Sequence, residues 1–97
     1  MVTTEFQETP LTSSYLIAFI ISDFDTVSCA TNRIPQRVFS RPNAIQFTDF
    51  ALNNGIKILS AMENYLGLEF SLPKMDQIAI PDFSAAAMEN WGIVTYR

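Results

Sequence analysis

Glu89 lies near the end of the chain in Ala86-Ala87-Met88-Glu89-Asn90, followed by Trp91-Gly92 and the run Ile93-Val94-Thr95-Tyr96-Arg97. A carboxylate at the end of a groove can hold an ammonium group through a charge-assisted hydrogen bond. An extended segment with an exposed edge can pair with a second extended chain through main-chain hydrogen bonds, whatever that chain's sequence. On residue type alone, an acid between Met and Asn reads as an ordinary solvated loop acid. Other chemistries have less support. The sequence has no histidine to activate a nucleophile. It has one cysteine, Cys29, so no internal disulfide is possible, and that residue reads as a small buried hydrophobe.

The flanks of Glu89 carry more information. Ala79-Ile80-Pro81-Asp82-Phe83 precedes the stretch, and Trp91-Gly92 and Thr95-Tyr96-Arg97 follow it. The whole resembles the exopeptidase signature of the M1 family of zinc aminopeptidases. There a Pro-Asp-Phe turn leads into Gly-Ala-Met-Glu-Asn-Trp-Gly and then an edge strand. Ala87, Met88, Glu89 and Asn90 match, while Ala86 stands where the family usually has Gly. If that position requires positive φ, the methyl group is costly; ordinary β geometry tolerates it. The resemblance runs from about Phe6 to Arg97. Tyr15 to Phe24 is similar to the last strands of the family's amino-terminal β domain, and Leu72-Pro73-Lys74-Met75-Asp76 to its Leu-Pro-Lys-x-Asp turn.

The resemblance implies an α+β segment in which the end of an all-β amino-terminal domain, residues 1–42, joins the start of a thermolysin-like catalytic domain, residues 43–97. The second part would hold one long helix, 43–66, and edge strands of a mixed sheet, with the exopeptidase strand at 86–97. Glu89 would anchor the substrate's α-amine, Ala86, Ala87 and Met88 would align its main chain, and Asn90 completes the substrate-binding set. The family holds zinc with His-Glu-x-x-His and a further Glu, and the Glu inside that motif is the general base. Those residues are absent, so no catalytic or metal-binding residue is expected here and the zinc belongs to the parent enzyme. The implied partners are a peptide amino terminus and the rest of the parent chain, in a membrane-anchored or extracellular enzyme. The alternative is a catalytically silent or truncated relative that acts as a peptide-binding or interaction module.

The elements that must position these residues can be read along the chain. Its 97 residues are 48% hydrophobic and 12% aromatic, unlike a disordered tail. The net charge is -4, and the basic residues are scattered, with a loose group at Arg33, Arg37 and Arg41 that reads as a solvated connector. No nucleic-acid footprint is present. The unbroken apolar run Tyr15–Ile21 predicts a strand within 15–24 buried on both faces, and it is far short of the roughly 20 residues of a membrane span. The amino terminus lacks the basic and apolar regions of a signal peptide, so Met1 is not expected to open a targeting segment.

Residues 25–33, with Thr26, Ser28, Thr31 and Asn32, predict a loop or short edge strand. Ile34–Ser40 predicts a second strand, which Pro35 confines to an edge or a strand start. Arg41-Pro42-Asn43 marks the domain boundary. In the helix, Asn43 and Gln46 form a capping pair. Leu52, Ile56, Leu59, Met62 and Leu66 share one face, widened by Ala51, Ile58 and Tyr65. Gly55 costs about 1 kcal/mol relative to Ala, and Gly67 is the stop. Ala61-Met62-Glu63-Asn64 repeats the signature letters, but on a helix its amides bond internally, so Glu63 reads as a surface acid. Gln77–Ile80 predicts a strand ended by Pro81. The turn Asp82-Phe83-Ser84 and the edge strand follow, with Trp91 packed behind that strand.

Overall fold

Prolines and glycines set several element boundaries, as their backbone chemistry requires. The computed structural model describes residues 1–29 and 33–97; Thr31 and Asn32, expected in a loop, fall outside these. Strand β1 is Asp25–Cys29 and β2 is Gln36–Ser40, starting directly after Pro35, whose carbonyl accepts from Met75 N at 3.1 Å. Helix α1, Asp49–Leu66, leads to β3 at Met75–Ala79, β4 at Ala87–Met88 and β5 at Ile93–Tyr96. The strands form one mixed sheet in the order β1-β2-β3-β5-β4. The outer pairs β1–β2 and β4–β5 are antiparallel, and the inner pairs β2–β3 and β3–β5 are parallel.

Register decides which side chains share a face, because cross-strand partners point the same way. Gln36 pairs with Met75, and Val38 with Gln77 and through it Val94, which places them on the side covered by α1. Gly55 lets the helix come close on that side. A Cβ there would lie 2.3 Å from Gln77 Nε2 and 3.3 Å from Gln36 Oε1. This contact explains a glycine within a helix, where its propensity is poor. Arg37, Asp76 and Ile93 share the opposite face, as do Phe39, Ile78, Thr95 and Met88.

Residues 15–24 do not form a strand. Ser14–Leu16 makes a short 3-10 turn, and 17–24 has no regular structure, with Leu16, Ala18 and Ile20 half-buried while Ile17, Phe19 and Ile21 are exposed. A strand buried on both faces needs ladder partners on both edges, and neither edge strand of this sheet, β1 or β4, pairs with the segment. The helix starts at Asp49 rather than Asn43. Ile45–Phe47 is a 3-10 turn, and Thr48 Oγ1 donates to Ile45 O at 2.6 Å in place of a cap by Asn43 and Gln46. Its end is as expected, with Gly67 left-handed at φ 65°.

The apolar stripe is covered only at the amino-terminal half of α1. Leu52 is buried and Ile56 and Leu59 are half-buried, but Met62 is 47% exposed, and Ile58, Tyr65 and Leu66 are exposed too. Ile58 and Met62 face an open space between the helix and the sheet and pack against neither fully. A groove of about 650 Å³ runs along this side, bounded by Val38, Phe47, Ile58, Met62 and Tyr96.

Glu63 does more than sit on the helix surface. Its Oε1 accepts from Phe70 N at 2.6 Å and pairs with Arg33, which also donates to Phe70 O at 3.3 Å. The returning chain is thus gripped at both groups of Phe70, and Arg33 is no solvated connector. The Phe70 amide, followed by Arg33, holds the Glu63 carboxyl below its ordinary value of 4.5. A depressed folded-state value stabilises the fold above the ordinary value and is lost as pH falls through the folded one. Glu63→Gln is therefore expected to lower the urea midpoint near neutral pH. The difference from wild type should shrink below about pH 4.5; a difference independent of pH would contradict the assignment.

Candidate active-site edge

The chain approaches the sheet edge through a turn that an ordinary residue resists. Asp82 has φ 55°, the one positive φ outside glycine among the described residues. Asp is among the few residues that tolerate this region. Ala86 therefore lacks positive φ, and its methyl group carries no backbone strain there. Its carbonyl accepts from Arg97 N at 3.0 Å, which fixes the start of β4. The expected single strand at 86–97 is two strands joined by a turn. β4 holds the edge, and Ile93–Tyr96 lies inside the sheet between β3 and β4.

Glu89 follows β4 directly and is exposed, with no hydrogen-bond or ion-pair partner for its carboxylate among the described residues. Ala86 and Ala87 are exposed and Met88 is half-buried, so the outer edge of the backbone from 86 to 88 leads to the carboxylate. Asn90 is different. It is buried, and its amide is used internally: Thr95 Oγ1 donates to Oδ1 at 3.3 Å, and Nδ2 donates to Leu16 O at 3.3 Å. Trp91, expected behind the strand, is 48% exposed. It occupies the turn, and the sheet face behind is taken by Asn90 and Thr95.

The turn closes with Ile93 N donating to Asn90 O at 3.2 Å, and Gly92 has φ 73°. Gly92 O accepts from Asp76 N at 3.0 Å and Lys74 Nζ at 2.8 Å. Lys74 Nζ also donates to Asp76 Oδ2 at 2.7 Å, and Arg37 grips both Asp76 oxygens at 2.7 Å. Asp76 is 3% exposed. Its carboxylate holds the Arg37 guanidinium above its ordinary range, first through the hydrogen bonds and then through charge. Arg37 also lies over the Phe39 ring, 5.3 Å from its centroid. The connector expected at 33–41 thus carries three ion pairs, Arg33 with Glu63 and Glu69 and Arg37 with Asp76. One signal in the sequence points to this network: Asp76 shares the strand phase of buried Ile78, and a buried carboxylate requires donors. Gly92→Ala is expected to cost about 1–2 kcal/mol from left-handed strain, with its Cβ also 3.3 Å from Lys74 O. A lower urea midpoint at unchanged slope would show it.

With this geometry in place, likeness to known proteins becomes informative. Residues 50–97 match the Peptidase family M1 domain. Over 97 residues the chain is 50% identical to Aminopeptidase N of Homo sapiens, covering 97% of this chain and 10% of that protein. The chain belongs to peptidase family M1. The same M1 segment is 48% identical to the Alanine/arginine aminopeptidase of Saccharomyces cerevisiae, over 97% of this chain and 11% of that one. It is 42% identical to Endoplasmic reticulum aminopeptidase 2 of Bos taurus, over 95% and 10%. The chain thus spans about a tenth of the length of these curated relatives. M1 aminopeptidases are metallopeptidases, but the residues present do not suit a zinc ion. The sequence has no histidine, and the described residues hold no cluster of three His, Cys, Asp or Glu side chains.

Proposed function

We propose that this chain is the substrate-anchoring segment of a zinc-dependent M1 aminopeptidase that removes amino-terminal residues from peptides. The observation that carries this reading is an edge strand leading to an exposed carboxylate with no partner among the described residues, β4 followed by Glu89. A peptide laid antiparallel or parallel to the outer edge of 86–88 gains main-chain hydrogen bonds without regard to its side chains. Its α-ammonium then meets the Glu89 carboxylate in a charge-assisted bond. An internal peptide bond brings no ammonium and leaves the carboxylate unmatched, so the edge selects chain ends. Asn90 serves the same site from behind by holding the turn rather than by touching substrate. Zinc and its general base would come from other parts of the enzyme.

The inferred setting is a membrane-anchored or extracellular enzyme, on the resemblance to aminopeptidase N. No helix among the described residues is long and apolar enough to cross a membrane. We place the domain junction within 17–24 rather than at 41–43, because β1 and β2 share one sheet with β3, β4 and β5. The test is hydrolysis of an amino-terminal Ala or Leu amide by the full-length protein, beside an amino-blocked version and with a chelator. Chelator-sensitive turnover of the free amine alone supports the reading. Binding without any turnover would instead favour a silent peptide-binding module.

A further inference from the structure

The turn after Glu89 is held by a relay of charges that begins two strands away. Arg37 on β2 orients the Asp76 carboxylate on β3 with both arms of its guanidinium at 2.7 Å. Asp76 Oδ2 draws in Lys74 Nζ at 2.7 Å, and that ammonium reaches Gly92 O at 2.8 Å. Ile93 N bonds Asn90 O, so residues 90–93 form one closed unit with Glu89 immediately ahead of it. A shift of the Gly92 carbonyl is therefore passed to Asn90 and to the backbone that carries Glu89.

Lys74 is the informative member. The bidentate Arg37–Asp76 pair already satisfies the buried carboxylate, and it is the stronger of the two ion pairs by geometry. The Lys74 side chain is 35% exposed, so its own ion pair contributes little to stability. What Lys74 adds is a side-chain bond to Gly92 O that no other side chain in the described residues makes. Hydrogen bonds fail within a few tenths of an ångström beyond 3.2 Å. A displacement too small to affect folding is therefore large for a carboxylate that must meet an ammonium.

We propose that Lys74, oriented by Asp76 and Arg37, is a positioning residue that sets where the Glu89 carboxylate stands relative to the edge of β4, and hence how strongly the site prefers a free amino terminus. The proposal rests on the reading of Glu89 as the amine anchor. It is tested with the full-length enzyme and two competing ligands, leucinamide and 4-methylpentanamide, which differ only in the α-amine. Their inhibition constants are measured against a chromogenic alanine anilide, and their ratio reports amine preference. Lys74→Met is expected to lower that ratio about tenfold, entirely through weaker leucinamide binding. The constant for 4-methylpentanamide should stay within about twofold of wild type. For the anilide, kcat/KM should fall, with the loss shared between KM and kcat as for the amine contact itself. Lys74→Arg, which can still bridge both acceptors, should restore most of the preference. If Lys74→Met does not fold, Lys74→Gln gives the same comparison with one acceptor left unmatched.

The outcomes separate cleanly. Equal weakening of both ligands by Lys74→Met would overturn the proposal and leave Lys74 a structural residue. A wild-type ratio in Lys74→Met beside a collapsed ratio in Glu89→Ala would also overturn it, with the anchor intact. A wild-type ratio in Glu89→Ala would overturn the anchor itself, and this proposal with it.

Discussion

Glu89→Ala in the full-length enzyme is expected to lower kcat/KM on a free-amine peptide by about 30- to 1,000-fold. The magnitude follows from the bond it removes. A hydrogen bond between a carboxylate and an ammonium in a closed site is worth about 2–4 kcal/mol, and each 1.4 kcal/mol is a factor of ten. Part of the loss should appear in KM, because the ammonium is bound before reaction as well as during it. The remainder should appear in kcat, because on the proposed reading the amine would fix how far the substrate slides along β4, and so which bond is presented for cleavage. An amino-blocked substrate never makes the bond and should lose little more than it already has. Discrimination between the two substrates should therefore narrow by nearly the whole effect. Glu89→Gln keeps the shape and removes the charge, and should fall between wild type and Glu89→Ala. Discrimination that survives Glu89→Ala unchanged would mean that another group reads the amine.

The local signals in the sequence were reliable where backbone chemistry is local. Pro35 marks the start of β2 and Gly67 the left-handed end of α1, because each fixes its own φ. Partners distant in sequence left weaker traces. Arg33 and Glu63 are 30 residues apart, and Arg37 and Asp76 are 39 apart, so neither pair shows in any spacing rule. The helix stripe records which side of α1 is apolar, but what lies across the groove from it decides how far that side is covered. The run at 15–21 had no alternation and so gave no face; its half-covered state depends on which strands are available to pair. At the site, Met88, Glu89 and Asn90 look alike in a motif of letters. Only the turn after β4 separates them, turning Asn90 inward to Thr95 and Leu16 while Glu89 stays in solvent.

Asp76→Ala is expected to destabilise the sheet by about 2–4 kcal/mol. Removing one member of a buried ion pair costs about 3–5 kcal/mol when the other charge stays buried. Here the partners are partly wet, with the Arg37 side chain 42% exposed and Lys74 35%, so water takes over some of their donors and the cost falls below that range. The carboxylate's own burial works the other way, since its loss leaves a hole between β2 and β5 that the neighbouring Ile78 and Ile93 cannot fill without moving strands. Asp76→Asn keeps the volume but offers an amide N–H₂ to the guanidinium, so it should recover only part of the loss. Arg37→Lys keeps the charge but not the two-armed grip, and should cost less than either. Amide exchange is the suitable measurement, because a large multidomain protein need not unfold in one step. Protection at the Asp76 and Ile93 amides, whose acceptors are Gly92 O and Asn90 O, should fall by about 30- to 1,000-fold in Asp76→Ala. Amides in the middle of α1 should change far less, because the helix packs on the opposite face of the sheet. Equal loss at both places would show that Asp76 supports the whole fold and not the face that carries the Glu89 turn.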